Sequence, residues 1–538
     1  MPPHVPVLIV GAGPTGLALA VQLARYGIRF RIVDRSLDRA HESRALAIQP
    51  RTLEVLANCG ISPDLLAVGN RAVQLRLHTG RRVIPLRLFD IGVRDTAYPY
   101  LLFLAQAETE RIFAAHLSLL DIDMDRGREL VSLRPDGDNA VATLRDLSGS
   151  IETVRASYVV GCDGPHSTVR EQAGIAFTGS AYPQTFVLAD VEADGIERGV
   201  VHAFLSGPRG PLLFFPLGTP ATWRMIAMRA PGDAGPVDEP VTLARLQALT
   251  DAATETRITL HDPVWLTDFR VHKRGVSRYR AGGVFLAGDA AHIHSPAGGQ
   301  GMNIGIQDAV NLGWKLALVL RHGAPPALLD TYEAERAPVG RAVRRFTDRA
   351  FLMITSGSVG ARLARRYLVP VVLPVVLRSR FGRRLAFRTI SELSTGYHGT
   401  DLAAHGPGAR SRSPRTGDRL PDMSLARQPG GARSLAHHPV TTSLHALVAA
   451  PGWHLLLCGR GWTALTDAEA VGAPSKAGRP MLTVHRLRQT EVLRGLGAHA
   501  RDSVQLLIRP DGYVGYRSDE ADLAGLHAYL DRWLPGPG

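Results

Sequence analysis

The segment VPVLIVGAGPTGLALAVQLARYGIRFRIVDR, residues 5–35, predicts a strand, a helix and a second strand in succession. Residues 7–10 form a short apolar run that is typical of a central strand in a parallel sheet. Helical spacing then runs over residues 17–26 until Gly27, and a second apolar strand ends at Asp34. The segment therefore predicts an α/β fold that begins with a βαβ unit.

The turn between the first strand and the helix has the GxGxxG pattern of dinucleotide-binding units. Its first glycine permits a tight turn, the second lets the main chain approach a pyrophosphate, and the third allows the helix to pack closely on the strand. The acid that ends the second strand is placed to accept hydrogen bonds from a ribose diol. The alternative is a plain tight turn with a surface acid. The predicted nucleotide contacts are Gly11, Gly13, Pro14, Thr15, Gly16, Asp34 and Arg35.

Two further apolar strands lead into glycine-rich turns. In ASYVVGCDGPHSTVREQAG (156–174) the turn holds Asp163 and Gly164, which taken alone would fit any α/β connection. In VFLAGDAAHIHSPAGGQGMNIGIQDAVNLGWKLAL (284–317) the turn holds Asp289 and several glycines, and a long amphipathic helix follows. So many glycines let a flat ring lie against the main chain. The N-terminus of the helix that follows offers unpaired N–H groups to a carbonyl of that ring, and Asp289 can bind polyol hydroxyls. The third turn therefore predicts a site for a flavin ring and its ribityl chain.

The three motifs GAGPTG (11–16), GCDGPHSTVR (161–170) and GDAAHIHSPAGGQGMN (288–303), in this order, resemble a known family. It comprises the single-component flavoprotein aromatic hydroxylases of the p-hydroxybenzoate and phenol hydroxylase type. The resemblance covers about residues 5–395 and is closest to the larger members, which act on polyketide-like aromatics and carry a C-terminal domain. It implies an α/β fold: a Rossmann-like FAD-binding domain with an inserted antiparallel-sheet substrate domain, plus a thioredoxin-like α/β domain.

The resemblance also implies which residues contact the cofactor. Arg44, in ESRALAIQPRTLEVL (42–56), and Gln106, in FLAQAETER (103–111), match family positions at the flavin cofactor. The Asp-Gly pair of the second motif is linked in the family to both FAD and NAD(P)H. The family usually has glutamate where this chain has Asp34, and either acid can bind a ribose. Beyond the first motif the implied cofactor contacts are Arg44, Gln106, Asp163, Gly164, Gly288, Asp289, Pro296, Gly299, Gly301, Met302 and Asn303.

The chemistry that the resemblance implies belongs mainly to the cofactor. NADPH, or alternatively NADH, reduces FAD, and the reduced flavin captures O2 as a C4a-hydroperoxide that transfers one oxygen atom to a phenolic or polycyclic aromatic. The protein supplies orientation and a dry pocket, because water would let the peroxide escape as H2O2. No catalytic side chain is assigned, and Arg44 is only a candidate for handling the flavin or the nicotinamide. Two alternatives stay open: Baeyer–Villiger insertion of oxygen beside a ketone, and a flavin-binding scaffold without turnover.

The segments between the motifs should supply the substrate wall. Residues 210–218 and 222–230 have strand-like composition and predict an antiparallel sheet that faces the flavin. Phe214, Phe215 and Trp223 are candidate lining residues, although such residues more often simply pack a sheet. The predicted boundaries are 1–75, 101–178 and 277–395 for the FAD-binding domain, 76–100 and 179–276 for the substrate domain, 396–414 for a linker and 415–538 for the C-terminal domain.

The C-terminal region follows a stretch rich in Gly, Pro, Ser and Arg, HGPGARSRSPRTGDRLPD (405–422), which marks a linker. In residues 503–518, the sequence Pro-Asp-Gly at 510–512 predicts a hairpin turn. This region resembles the thioredoxin-like domain of the larger hydroxylases. Its single thiol, Cys458, cannot support dithiol chemistry, so we expect a role in packing or oligomer contact.

Composition and charge narrow the class of protein, its partners and its cellular compartment. The 538 residues are 45% hydrophobic and 21% charged, as expected for a globular enzyme of two or three domains. The net charge of +13 comes almost wholly from arginines spread along the chain, which indicates codon bias, and we predict no nucleic-acid partner. The spacing of the three cysteines fits neither a disulfide framework nor a metal site. The N-terminal apolar run continues directly into glycines, so we interpret it as a buried strand rather than a signal peptide. Both features favour the cytoplasm.

Two local features allow further expectations. His292 and His294 form an HxH pair with no third ligand in view, so we predict no metal site. The apolar stretch 367–377 is shorter than the roughly 20 residues that span a bilayer and contains two prolines. It predicts a packed helix or helix pair, with membrane contact as the alternative and no stable insertion. The expected partners are a small aromatic substrate and O2, and the expected state is a monomer or homodimer.

Overall fold

Three large sheets organise the chain in the computed structural model. The structure describes residues 2–38, 45–72, 74–79, 82–87, 93–204, 211–218, 221–228, 241–295, 298–356, 358, 360, 363–409, 413–425, 442–462, 465–471, 481–499 and 501–534.

Strands and helices are numbered in chain order. The strands are β1 His4–Val10, β2 Phe30–Asp34, β3 Ala47–Ile48, β4 Asn70–Ala72, β5 Gln74–Thr79, β6 Arg82–Arg87, β7 Leu101–Phe103, β8 Asp125–Arg126, β9 Arg128–Asp136, β10 Asn139–Asp146, β11 Ile151–Gly161, β12 Phe177–Asp194, β13 Val201–Phe204, β14 Leu212–Pro216, β15 Trp223–Met228, β16 Thr259–Val276, β17 Arg280–Ala281, β18 Val284–Leu286, β19 His292–Ile293, β20 Ala404–His405, β21 Ser424–Leu425, β22 Thr442–Ser443, β23 Trp453–Cys458, β24 Leu482–Leu487, β25 Val504–Ile508 and β26 Val514–Ser518. The helices are α1 Pro14–Arg25, α2 Pro50–Ala57, α3 Ser62–Val68, α4 Gln106–Ser118, α5 Thr168–Gln172, α6 Leu243–Ala253, α7 Gly301–Arg321, α8 Asp330–Thr355, α9 Val369–Arg378, α10 Arg380–Ile390, α11 Leu444–Leu447, α12 Asp467–Val471, α13 Thr490–Gly495 and α14 Ala524–Trp533.

The first sheet has the strand order β17-β18-β11-β1-β2-β8, with the hairpin β9-β10 attached to β11. Strands β18, β11, β1 and β2 are parallel neighbours, and the three apolar runs that end in glycine turns are adjacent strands. Parallel strands buried on both faces consist of continuous apolar residues, and Val7, Leu8 and Ile9 are indeed fully buried. Since these strands run in one direction, their carboxyl ends share one edge.

The second sheet is inserted between segments of the first and has the order β19-β16-β12-β15-β14-β13-β5-β6. Its long strands β12 and β16 pair antiparallel, as do β14 and β15. Helix α6 covers one face of this sheet with Leu246 and Leu249. The opposite face packs against β3 and β7, which form a small three-stranded sheet with β4. The predicted antiparallel sheet is therefore present.

The third sheet lies in the C-terminal region and has the order β20-β26-β25-β23-β24. Strands β25 and β26 form the predicted hairpin, and β24 is parallel to β23. Ala404 and His405, inside the predicted linker, pair with β26 as an edge strand, because ladder hydrogen bonds need only main-chain groups. Burial raises the pKa of the Cys458 thiol to about 12, which keeps it protonated and unreactive.

The turn of the β25-β26 hairpin contacts α7 and α8. Arg509 is fully buried and donates hydrogen bonds to Glu335 (2.8 Å) and Asp511 (2.6 Å). The indole N–H of Trp314, in α7, donates to the same Asp511 carboxylate at 3.2 Å. Trp314 also packs edge-to-face on Trp453 of β23, with ring centroids 5.6 Å apart. The C-terminal region therefore shares a continuous core with the first sheet.

The apolar stretch 367–377, for which the sequence predicts a packed helix or helix pair, lies in a π-helical turn, Ala364–Leu368, and in α9. Helix α9 contacts β6 and α10. Tyr367, Val371 and Val375 expose 62%, 64% and 61% of their surface. A helix that is apolar all round is normally buried, so these exposed apolar side chains on α9 are unusual. Among those residues no helix is long and apolar enough to cross a membrane.

Candidate functional site

The turns that follow β1, β11 and β18 meet at the carboxyl edge of the parallel sheet. The backbone N–H of Cys162 donates to the carbonyl of Val10 at 2.7 Å, and the N–H of Ala287 donates to the carbonyl of Gly161 at 3.0 Å. Ligands of open α/β sheets bind at such an edge. The structure thus brings together the three motifs that the sequence predicts to share one site.

Two glycines of the first turn, Gly11 and Gly16, cannot be replaced without displacing the neighbouring backbone. A β-carbon at Gly11 would lie 2.3 Å from the carbonyl oxygen of Cys162, and one at Gly16 would lie 1.9 Å from the carbonyl oxygen of Gly11. Gly13 differs, because a β-carbon there would meet no protein atom within 4 Å. Gly13 caps the N-terminus of α1, so this open space faces the unpaired N–H groups that bind anions.

Asp34, at the end of β2, lies beside this turn. One carboxylate oxygen accepts a hydrogen bond from the N–H of Ala12 at 2.6 Å, and the other accepts from the N–H of Ser36 at 2.8 Å. Each carboxylate oxygen can accept a further hydrogen bond, and the side chain is only partly buried. The acid is therefore fixed in position with acceptor capacity left. Arg35 follows it and is exposed.

The first and third motifs are in contact through Thr15. A β-carbon on Gly288 or on Gly305 would lie 2.4 Å from the Thr15 hydroxyl oxygen. Helices α1 and α7 can approach this closely only because both positions are glycine. The N-terminus of α7, which begins at Gly301, is thereby held beside the N-terminus of α1.

A residue that the sequence analysis missed, Asp308, anchors the third turn. Its carboxylate accepts hydrogen bonds from the N–H of Gly288 (3.1 Å), from Nε2 of His292 (2.7 Å) and from Nε of Arg336 (2.6 Å). Burial alone would raise the pKa of Asp308, but Arg336 and His292 outweigh it and the pKa lies below its ordinary value. Asp308 sits in the middle of α7, where no local sequence signal distinguishes it.

Asn303 holds the glycine turn against β3. Its side-chain oxygen accepts from the N–H of Gln49 at 2.8 Å, and its amide nitrogen donates to the carbonyls of Ala47 and Gly299, each at 2.8 Å. The side chain of this predicted cofactor contact is thus used within the protein, and its backbone lies in the first turn of α7. Gln49 was missed, because it lies far from the three motifs in sequence.

Several buried polar atoms around the turns have no hydrogen-bond partner within the described part of the chain. They are Asp163 Oδ1, Gln49 Oε1, His294 Nε2 and Gln300 Oε1. Buried polar atoms are normally paired, so such a group beside open glycine backbone fits a polar ligand. Burial raises the pKa of Asp163 above its ordinary value, and Gly164 next to it has a φ of +77° with open space around it. Together with the open space at the N-terminus of α1, these atoms fit a nucleotide joined to a polar, flat ring.

His294 is neutral at this site. Its Nδ1–H donates to the carbonyl of Ser295 at 3.0 Å, and burial lowers its pKa to about 4. Nε2 is therefore an acceptor, and its ring lies 3.7 Å from the position of a β-carbon on Gly301. The described residues contain no group of three or more His, Cys, Asp or Glu side chains arranged to hold a metal.

The other residues predicted to contact the cofactor lie in different surroundings. The N–H of Gln106, at the start of α4, donates to the carbonyl of Ala45 at 3.2 Å, and its side chain donates to Glu110. Asp289 is exposed in a short 3-10 turn, and Met302 is buried in the first turn of α7. Gly299 has a φ of +62° and faces Ala47. Arg44 and Pro296 lie outside the described residues.

The three candidate substrate-lining residues lie on two different faces of the second sheet. Phe214 and Trp223 are fully buried on the face that α6 covers. Phe215 points the other way, because neighbouring side chains of a strand alternate, and its ring lies 5.7 Å from that of Phe103. It belongs to an apolar cluster with Ala47, which contacts the glycine turn. Of the three, only Phe215 lies on the face of the sheet that packs toward Ala47 and the glycine turn.

A buried ion pair joins the same face to the segment that bears Arg44. Arg224 donates two hydrogen bonds to Asp190, at 2.7 and 2.6 Å, and a third to the carbonyl of Ala45 at 3.0 Å. Both side chains are almost fully buried. The second sheet is thus fixed to the main chain one residue beyond Arg44.

Comparisons with known proteins agree with this geometry. A family model described as an FAD binding domain matches residues 4–347, and one described as the C-terminal domain of aromatic-ring hydroxylases matches residues 413–537. The chain belongs to the FAD-dependent aromatic hydroxylases. This hydroxylase is therefore an FAD-dependent monooxygenase, and the family resemblance predicted from its three motifs is confirmed.

Relatives match the hydroxylase over its whole length. It is 36% identical over 567 aligned residues to 6-methylpretetramide 4-monooxygenase of Streptomyces rimosus, covering 100% of this chain and 97% of the relative. The solved structure of OxyS, an anhydrotetracycline hydroxylase of Streptomyces rimosus, is similar with a TM-score of 0.73, 29% identity and coverage of 99% and 100%. CabE, an aromatic hydroxylase from angucycline biosynthesis, is similar with a TM-score of 0.74, 29% identity and the same coverage. The predicted fold class is confirmed.

Proposed function

We propose that this hydroxylase uses NADPH, with NADH as the alternative, and O2 to add one oxygen atom to a phenolic, polycyclic, polyketide-like aromatic. The observation that carries the proposal is the apposition of the glycine turn 298–301 and the aromatic-rich face around Phe215 across Ala47. The full-length similarity to monooxygenases and hydroxylases named for tetracycline-type and angucycline compounds supports the substrate class.

The nucleotide-binding edge can hold FAD in one orientation. The pyrophosphate would take the open space at Gly13, where the N-terminus of α1 favours negative charge. Asp34 would accept the ribose hydroxyls, and the unpaired atoms near residues 298–301 would meet the polar edge of the ring. When bound, FAD supplies the chemistry, because it accepts hydride from a nicotinamide and activates O2.

The face around Phe215 can hold an aromatic guest and exclude water. Phe103, Phe215, Leu217 and Phe387 belong to one apolar cluster that also includes Ala47. Aromatic side chains favour offset stacking on a flat ring, and an apolar wall excludes water. Dryness matters here, because oxygen that is activated but not transferred is lost as H2O2. Arg44 remains a candidate contact to the flavin or the nicotinamide.

The test is ligand-stimulated oxidation of NADPH in air by the FAD-loaded protein. Electron-rich polycyclic phenols should accelerate NADPH consumption and gain one oxygen atom, as measured by absorbance and mass spectrometry. NMR of the product then separates ring hydroxylation from insertion beside a ketone, which has the same mass gain. Oxidation that no aromatic ligand accelerates, with no oxygenated product, would refute the proposal and leave the flavin-binding scaffold.

A further inference from the structure

The net positive charge of this hydroxylase is concentrated in one segment. Residues 349–391 contain nine arginines and no lysine, aspartate or glutamate. Nine of the thirteen net positive charges of the chain therefore lie between the last two turns of α8 and the end of α10. The arginines are Arg349, Arg362, Arg365, Arg366, Arg378, Arg380, Arg383, Arg384 and Arg388. Codon bias does not explain this local excess, since it would not remove the acids.

The same segment bears most of the exposed large apolar side chains of the described residues. Tyr367, Val371 and Val375 point outward from the π-helical turn and α9, and Phe381 and Leu385 are 78% and 59% exposed on α10. Single exposed apolar residues are ordinary on protein surfaces. A contiguous group of them marks a binding surface. We call the surface formed by residues 363–388 the α9–α10 face.

The α9–α10 face combines apolar residues, which make up nearly all of α9, with arginines at the end of α9 and within α10. Arg378 ends α9, and Arg384 lies between the exposed Phe381 and Leu385 of α10. Both arginines are exposed. Arg388, by contrast, forms an ion pair with Asp95 at 2.7 Å, so its charge is already compensated. Short surface helices that combine exposed apolar side chains with arginines lie in the plane of a membrane interface, with arginine at the headgroups and apolar side chains at the acyl boundary.

The charge distribution argues against a second copy of the chain as the occupant. A two-fold dimer places the same patch of both subunits together, so arginines of one copy would face arginines of the other. The segment contains no acid to compensate. An anionic surface complements it instead, since each basic residue near such a membrane adds to the attraction.

A cavity beside α9 adds a place for anionic headgroups. It has a volume of about 550 Å³ and lies between β5, β6, α9 and α10. Its lining includes Arg76, Arg87, Arg378 and Arg383. Arg76 is paired with Glu197 at 3.0 Å, and Arg383 donates a hydrogen bond to the carbonyl of Arg378 at 3.3 Å. Several guanidinium groups around one recess suit a phosphate, which accepts paired hydrogen bonds from arginine.

We propose that the α9–α10 face binds reversibly to the surface of membranes that contain anionic phospholipids. Val371, Val375 and Phe381 enter the boundary between headgroups and acyl chains, and Arg378 and Arg384 contact lipid phosphates. The protein lies on the membrane rather than across it. This binding is independent of the proposed reaction, so either proposal can fail without the other.

The experiment is vesicle flotation with the full-length, FAD-loaded protein. Vesicles of phosphatidylcholine alone are compared with vesicles of equimolar phosphatidylcholine and phosphatidylglycerol. We expect flotation only with phosphatidylglycerol and release by added salt, which screens the attraction. The double variant Arg378→Gln/Arg384→Gln should bind on the order of 30-fold more weakly, since each basic residue contributes about 5-fold. The triple variant Val371→Ser/Val375→Ser/Phe381→Ser should bind at least roughly 10-fold more weakly.

Control variants remove equal numbers of charged or apolar side chains elsewhere. Arg257→Gln/Arg494→Gln removes two exposed charges, and Leu119→Ser/Leu120→Ser/Leu147→Ser removes three exposed apolar side chains. Both should float like the unaltered protein. The bound-flavin spectrum and the thermal midpoint monitor folding, and if the triple variant misfolds, the arginine variant decides alone.

Three results would overturn the proposal. One is no flotation with anionic vesicles, and another is binding that the arginine variant leaves unchanged. The third is a dimer in solution, measured by analytical ultracentrifugation, that the triple variant dissociates, because the face would then contact a second copy.

Discussion

Asp308 accepts a hydrogen bond from the backbone N–H of Gly288 at 3.1 Å, so a side chain in the middle of α7 fixes the turn that opens the third motif. The same carboxylate pairs with Arg336 at 2.6 Å, and both side chains are fully buried. The helix that begins at Gly301 and the strand that ends at Leu286 are thereby held in one geometry.

Asp308→Asn should destabilise the protein and weaken its hold on FAD. The substitution leaves Arg336 buried without its charge partner, which costs about 3–5 kcal/mol. Urea unfolding and the ratio of flavin to protein absorbance measure the two effects. Asp330→Asn serves as the control, because the exposed pair of Asp330 with Arg280 should contribute less than about 1 kcal/mol. Equal stability of the two variants would contradict the anchoring role.

Gly13→Ala and Gly16→Ala should separate cofactor binding from folding. A methyl group at Gly13 meets no protein atom, so the apoprotein should change in stability by less than about 0.5 kcal/mol. The same methyl group occupies the space assigned to the pyrophosphate, so the FAD dissociation constant should rise roughly 10-fold or more. At Gly16 the methyl group would overlap the carbonyl oxygen of Gly11 and should cost about 1–3 kcal/mol or more. Unchanged FAD affinity in Gly13→Ala would place the pyrophosphate elsewhere.

Phe214→Ala and Phe215→Ala should have opposite signatures. Phe214 is fully buried beneath α6, so its truncation should cost about 3–5 kcal/mol without a specific effect on substrate. Phe215 lies on the face that packs toward Ala47 and the glycine turn, so its truncation should raise the KM for the aromatic substrate and the NADPH consumed per product. Chemical denaturation and steady-state kinetics distinguish them. A larger KM effect for Phe214→Ala would invalidate the assignment of faces.

The motif strands and their turns could be predicted, because apolar runs and glycines are local signals. Which residues of β14 lie on which face of the second sheet could not be predicted. The run LLFF at 212–215 is apolar throughout and lacks the alternation of apolar and polar residues that marks a half-exposed strand. Asp308 and Gln49 could not be predicted either, because their partners are set by how α7 packs on the turn and on β3. The contact of Arg509 with Glu335 spans 174 residues of sequence and depends on the docking of two sheets.

The stability of the apoprotein should fall on acidification because of His294. Burial lowers its pKa from the ordinary 6.5 to about 4. Between these pH values the unfolded chain binds a proton that the folded chain does not, so the free energy of unfolding decreases as the pH falls through this window. The loss is at most about 3 kcal/mol.

His294→Gln should flatten this part of the pH profile, measured by urea unfolding between pH 7 and pH 4, within the window that the two pKa values define. His166→Gln removes an exposed histidine and should leave the profile unchanged. Parallel profiles for the unaltered protein and His294→Gln would show that His294 is not buried as a neutral ring.

We infer that the turns after β1, β11 and β18 together bind both ends of FAD. Titration calorimetry of the apoprotein with FAD and, separately, with FMN tests this inference, because FMN lacks the adenosine whose ribose is assigned to Asp34 and one of the two phosphates assigned to Gly13. We expect one FAD per chain and FMN binding weaker by roughly 100-fold or more. Equal affinity for the two flavins, or no uptake of FAD by the folded protein, would contradict it.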